Sequence, residues 1–369
     1  MLSQMRRYGF LIFFTLFPAF GAGPCTLATS ACTEWVTLGG GPWHSLVYRT
    51  YPMDVRNEQI TGALVMIHGA NRDADNYYRN ALAAAFLADA LENTIVIAPR
   101  IASNERGCQD KLAPNEVSYS CSGDSWRSGG TSVSTDKLTS FDFIDEVLRK
   151  LARKEVFPNL KHIVVAGHSA GGQFVNRYEM ANQAHDSLGV PVTYIVANPS
   201  SYAYPESVRP TAADWPVQAG APGYVPELPP AGRGGRGGRG GDETTAEGAV
   251  FRAFGDGRNC TTYDQWPYGL QHRSGYTARL SDEQLKKQLA SRPTLYLLGQ
   301  LDILPLGGFD GSCAAMAQGP TRLARGLAFS KLVNGKLGGH QEAVIIPECG
   351  HNARCMFTDE KALPIIFPK

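Results

Sequence analysis

Residues 163–166 form an apolar run with the length of a buried strand, and they lead directly into Gly167-His168-Ser169-Ala170-Gly171. From Gly171 onward the pattern becomes helical. A serine flanked by positions poor in side chain, between a strand and a helix, fits a sharp turn that bulkier residues would jam against neighbouring backbone. Its hydroxyl then projects from the end of the sheet. The first amides of the following helix face the same space and favour negative charge there. In a chain with 40 glycines a bare G-x-S-x-G run is a modest signal. Its strand-turn-helix context gives it weight. A nucleotide-binding turn is the competing reading of such a junction, but neither a P-loop lysine nor a G-x-G-x-x-G run accompanies it.

Similar apolar runs recur along the chain. Residues 63–67 and 94–98 read as buried strands, with helices at 76–89 and 141–152; in the second helix Phe141, Phe143, Ile144, Val147 and Leu148 are spaced to cover a sheet. Further strands are expected at 192–196, 294–298 and 343–346, with helices at 282–289 and 322–332. This alternation predicts an α/β fold with a mainly parallel central sheet and helices on both faces. Residues 35–53 read as antiparallel edge strands whose register the sequence leaves open. The interval 198–291 breaks the rhythm and reads as a long insertion or cap between late core strands. Within it, the Arg-Gly-Gly units of 232–241 cannot bury enough apolar surface to order a core, so a flexible segment is expected. Such units also contact RNA in other settings, but three arginines in a chain of net charge +1 give no general reason to expect a nucleic-acid partner.

Arg6 and Arg7 precede an apolar stretch at 10–20, followed by Gly21, Ala22 and Gly23. That order is the pattern of a secretory signal over 1–21, which leaves a single domain at 22–369. The apolar stretch is shorter than a membrane span, so the cleaved chain is expected outside the cell, or in the periplasm of a Gram-negative source, without stable membrane insertion. The eight cysteines then read as four disulfides. Spacing suggests Cys25 with Cys32, Cys108 with Cys121 and Cys349 with Cys355, leaving Cys260 to meet Cys313. No repeated C-x-x-C pattern suggests a metal site. Asn259-Cys260-Thr261 is an acceptable glycosylation sequon, whereas Asn198-Pro199-Ser200 carries proline at the forbidden position. Oligomeric state is not legible.

A serine hydroxyl attacks poorly until a base takes its proton, and the base must itself be oriented. Asp302 lies just beyond the strand expected at 294–298, and His351 just beyond the one at 343–346. Both therefore belong at the sheet edge that carries Ser169. In this arrangement His351 accepts the Ser169 proton, and Asp302 orients the imidazole and stabilises its transient charge. His340 is the nearest rival base, and Asp256, Asp264 and Asp310 are weaker acids, because none follows a core strand so directly. His68-Gly69-Ala70-Asn71, also at a strand exit, suits an oxyanion loop in which the N–H of Ala70 joins that of Ala170. Arg72, Trp126, Trp266 and Tyr268 are candidate substrate contacts, although packing or a salt bridge explains them equally well.

Taken together, the H-G loop at His68-Gly69, the G-H-S-A-G turn, the L-G-x-x-D segment ending at Asp302 and the Gly350-His351 pair resemble those of secreted α/β-hydrolases. The resemblance extends from about Tyr48 to the C-terminus. It implies an α/β-hydrolase fold and nucleophilic hydrolysis through Ser169, Asp302 and His351. The short H-G-A loop departs from the extended H-G-G-G run of the hormone-sensitive-lipase-like branch. Carboxylic-ester hydrolysis, requiring no cofactor and acting on an ester-containing small molecule or polymer, is the expected activity. A serine peptidase or amidase is the nearest alternative, and a non-enzymatic extracellular binding protein the alternative of a different class.

Overall fold

The computed structural model describes residues 23–121, 125–211, 250–255 and 259–369. The signal expected at 1–21, the segment at 232–241 and Asp256 lie outside them. Ten strands are described: β1 (Thr33–Thr37), β2 (His44–Arg49), β3 (Gly62–Ile67), β4 (Thr94–Pro99), β5 (His162–His168), β6 (Val192–Ala197), β7 (Val208–Thr211), β8 (Val250–Ala253), β9 (Thr294–Gly299) and β10 (Glu342–Ile346). Eight of them form one sheet in the order β1-β2-β4-β3-β5-β6-β9-β10. From β4 to β10 every pairing is parallel. The hairpin that the sequence left without a register pairs β1 with β2 antiparallel, Trp35 opposite Leu46, and β2 then joins β4 antiparallel.

Burial on both faces explains why the central strands are apolar at consecutive positions rather than at alternate ones. Val65, Ile67, Ile163 and Val165 pack into one core, whereas their chain neighbours Leu64, Met66, Val164 and Ala166 pack into the other. The first core is covered by helices α2 (Ser140–Leu151) and α3 (Ala170–Ala181), which contribute Phe141, Phe143, Phe174 and Tyr178. Helix α1 (Ala74–Leu87) covers the second with Tyr78, Ala81 and Ala85. Helix α2 starts at a reciprocal cap between Thr139 and Asp142 and ends with Arg149 and Lys150, each favourable for its position along the helix dipole.

Four more helices matter to the site: α4 (Asp282–Ser291), the short α5 (Cys313–Met316), α6 (Arg322–Leu337) and α7 (Ala353–Thr358). Helix α6 continues past the expected end at 332. Val333 is buried in the core, and Asn334 exchanges hydrogen bonds with Gln341 at 2.7 and 2.8 Å, so the chain stays helical until Gly338 closes it at a φ of 69°. All four disulfides have the pairing that spacing suggested.

Between β6 and β9 the insertion carries the β7/β8 ribbon and returns to the core through Tyr276. The Tyr276 hydroxyl donates to Asp145 Oδ2 at 2.5 Å, and the Tyr178 hydroxyl donates to Oδ1 at 2.7 Å. Burial nevertheless pushes the Asp145 carboxyl up to about 6. Because the folded chain holds this proton more tightly than the unfolded chain, Asp145 adds stability at low pH that fades as pH rises through about 6. Replacing Tyr276 with Phe removes a donor to the carboxylate. The expected cost is about 1–3 kcal/mol above pH 7 and less at pH 5, read from urea unfolding at both values.

Candidate active site

Ser169 stands at the junction of β5 and α3 with φ 60° and ψ −119°, a backbone shape that side-chain-bearing residues rarely adopt. Three bare Cα positions make the turn possible. A methyl group on Gly167 would collide with the Gly171 carbonyl, one on Gly171 with the Ile67 carbonyl, and one on Gly172 with the Ala197 carbonyl. The G-x-S-x-G spacing is thus the imprint of backbone packed on backbone. The Ser169 amide donates to Ala197 O at 3.0 Å, and Ala170 opens a helix whose first amides have no intrahelical acceptor.

The exits of β9 and β10 bring two further groups to this turn. Asp302 Oδ2 accepts from His351 Nδ1 at 2.7 Å, and His351 Nε2 lies 2.9 Å from Ser169 Oγ. A carboxylate at Nδ1 selects the tautomer with its hydrogen there, which leaves Nε2 to accept the serine proton. Asp302 is 2% exposed, whereas His351 is only partly buried. Asn198 couples the two loops, accepting from the Gly299 amide at 2.8 Å and donating to Gly350 O at 3.3 Å. The second oxygen of Asp302, Oδ1, accepts from Arg322 Nη1 at 3.2 Å.

The loop after β3 is braced by its own histidine. His68 is fully buried; its Nδ1–H donates to Gly69 O at 2.9 Å, and its Nε2 accepts from the Ile101 amide at 3.2 Å. Burial lowers its pKa to about 4, so the ring is a neutral strut between the exits of β3 and β4. Gly69 has no room for a methyl group against the Tyr77 hydroxyl, which lies 3.3 Å from His168 Nδ1. Ala70 follows on the exposed side. It joins Ser169, His351, Gly307, Gly308, Asn71 and Asn76 around a cavity of about 630 Å³. Among the described residues no cluster of three or more histidine, cysteine or acidic side chains could hold a metal ion.

Residues 64–363 match the model of the alpha/beta hydrolase family. This chain belongs to that family. Among solved structures it is similar to the poly(3-hydroxybutyrate) depolymerase LpqC from Bordetella parapertussis, at 19% identity over 89% of this chain and 85% of that one, with a TM-score of 0.54. Poly(aspartic acid) hydrolase-1 from Sphingomonas sp. KT-1 is also similar, at 19% identity over 91% of this chain and 98% of that one, with a TM-score of 0.57. At these identities the shared property is the fold. No curated protein sequence matches the chain.

The other candidates in this hydrolase have varied surroundings. Arg72 donates to Ile101 O at 2.9 Å and to Ser120 O, and its guanidinium lies over the ring of Trp126, which is 3% exposed and rests against His68. Trp266 donates to Ser128 O, and the Tyr268 hydroxyl to Asp310. None of these four lines the cavity beside Ser169. Their polar ends are engaged in holding loops together. His340 lies at a separate cleft with Lys287, and Asp264 pairs with Gln271 and Arg209.

Arg322 and Gly307 were not singled out from the sequence. An arginine in the first turn of a helix ordinarily reads as solvated, and nothing local signals that the loops at 200 and 307 bury this one. Gly307 sits so close to the imidazole that a methyl group there would lie 2.8 Å from His351 Cδ2. The Cys349–Cys355 disulfide closes a short loop around His351. Replacing both cysteines with serine is expected to cost about 2 kcal/mol of stability by thermal unfolding. Faster hydrogen exchange at the amides of 350–354 is the accompanying local sign.

Proposed function

We propose that this hydrolase is a secreted serine esterase working through an acyl-enzyme. The observation that carries the reading is the unbroken array from Ser169 Oγ through His351 to Asp302, open to a cavity at the serine end. Ser169 Oγ attacks the ester carbonyl while its proton passes to His351 Nε2. Asp302 steadies the resulting imidazolium, and the amides of Ala70 and Ala170 receive the negative oxygen. On collapse the proton moves from His351 to the departing alcohol. Water then gives its proton to His351 and attacks the acyl carbon, and the returned proton frees Ser169 with release of the acid. No step calls for a cofactor.

Secretion rests on the charged and apolar pattern at the N-terminus together with four disulfides, which persist in oxidising surroundings. The mature enzyme is then 22–369, with 198–291 as its cap and Asn259 as a site for a glycan in a eukaryotic host. Among the described residues no helix is long and apolar enough to cross a membrane. The test is labelling by a serine-directed organophosphonate followed by peptide mapping. The label is expected on Ser169, and Ser169→Ala should lose it together with about 10⁴-fold or more in kcat on a nitrophenyl ester. Labelling that persists in the variant removes Ser169 from the role.

The cavity wall also bears on substrate. Asn71, Asn76, Asn80 and Asn352 line it together with Asp73 and Arg354, beside Ala70, Tyr77 and Ala353. An aliphatic chain laid against these amides strips their water without replacing its hydrogen bonds. Short acyl groups on polar alcohols fit this wall. Acetyl esters are therefore expected to exceed decanoyl esters of the same alcohol by about tenfold or more in kcat/KM. A rise in kcat/KM with chain length would contradict this.

A further inference from the structure

Arg322 is fully buried, yet its guanidinium makes three directed contacts. Nε donates to Ser200 Oγ at 2.8 Å, Nη1 to Asp302 Oδ1 at 3.2 Å and Nη2 to Gly307 O at 3.0 Å. Its face lies over the Phe309 ring at 5.3 Å. Burial lowers its pKa, and Asp302 opposes that effect. A guanidinium keeps its charge even so. A buried cation needs a counter-charge, and among the described residues Asp302 is the carboxylate paired with this one. The acid beside His351 is therefore divided, one oxygen to the imidazole and the other to a permanent cation.

We propose that Arg322 is a positioning residue that fixes Asp302 against His351. The proposal rests on the serine-esterase reading. When His351 takes the serine proton, the carboxylate that stabilises it is already partly neutralised by Arg322. With Arg322 removed, the full charge of the carboxylate would face the imidazolium. The same guanidinium holds the carbonyl of Gly307, the residue that backs the imidazole edge. Orientation of the acid and support of the base thus converge on one side chain.

Of the other ionisable groups near His351, Asp73 and Arg354 line the cavity it opens on. The His168 ring lies tilted against His351, with centroids 4.6 Å apart, but burial holds its pKa well below the usual histidine value, so it adds no charge. Arg325, one turn along α6, lies over Phe309 at 4.4 Å and donates to the backbone oxygens of Ser200, Asp310 and Gly319. Asp310 acts on both arginines through space while its carboxylate accepts from Tyr268 and from the Ser312 amide. Neither Arg325 nor Asp310 touches the imidazole or Asp302 in a described contact. Among the described residues Arg322 is the one lysine or arginine bonded directly to the acid.

The test compares pH profiles of kcat/KM for an acetyl ester, by chromatographic measurement of released acid, in wild type, Arg322→Met, Arg322→Lys and Ser200→Ala. In Arg322→Met the acid limb should move up by about one pH unit, with a fall in kcat and little change in KM. Arg322→Lys keeps the charge and should keep the limb near its wild-type position while kcat falls. Ser200→Ala frees one anchor of the guanidinium without removing it, so the limb should move in the same direction by less. This variant carries the test should Arg322→Met not fold. Limbs coincident with wild type in the folded variants overturn the role of Arg322. Turnover that survives Ser169→Ala overturns the esterase reading instead.

Discussion

The site depends on three places where backbone touches backbone with no side chain between. Gly167, Gly171 and Gly172 let β5, α3 and the neighbouring strand ends approach to the limit of contact, and Ser169 is the residue caught in the bend. Its positive φ costs on the order of 1–3 kcal/mol, which the surrounding packing must hold in place. That packing is the double-faced core: β5 lies between β3 and β6, and consecutive strand residues anchor opposite helical layers. The hydroxyl direction is therefore imposed by the whole sheet. A flexible loop would leave it to local preference.

Environment also separates three histidines that composition alone treats alike. His68 is enclosed, bonded at both nitrogens and neutral, and it works as a spacer between two strand exits. His168 is enclosed and neutral as well, and it presents a flat ring to its neighbour. His351 alone among these three has a carboxylate at one nitrogen, a hydroxyl at the other and a path to solvent. Permanent positive charge reaches the neighbourhood of His351 by a different route, through Arg322 on the far oxygen of Asp302.

Much of this was legible in the amino-acid order, because the relevant constraints are local. Uniformly apolar strand runs reveal a sheet covered on both sides, and the glycine spacing at 167–171 records a steric need that no other residue meets. Asp302 and His351 stood out because parallel strands deliver their exits to a common edge. Arg322 did not, since its burial is produced by segments more than 100 residues apart in the case of Ser200. Arg72, Trp126, Trp266 and Tyr268 read from the sequence as candidate substrate contacts, with packing or a salt bridge an equal alternative, and the partners described for them are loops of the same chain. Residue type indicates what a side chain can bond, and only the fold decides with whom. The hairpin register and the length of α6 escaped for the same reason, being settled by Asn334, Gln341 and the neighbouring strand.

The order in which the chain supplies its parts has a consequence of timing. Ser169 follows a central strand, whereas His351 follows β10, which among the described residues is the last strand of the sheet and an edge member paired to β9 alone. A chain that has emerged only through the exit loop of β9 holds hydroxyl and carboxylate but no imidazole between them. The loop that brings the imidazole is then closed by an oxidation, the joining of Cys349 to Cys355. The Ser169–His351–Asp302 array is thus among the last parts of the fold to come together, and the disulfide closes the loop that carries its middle member.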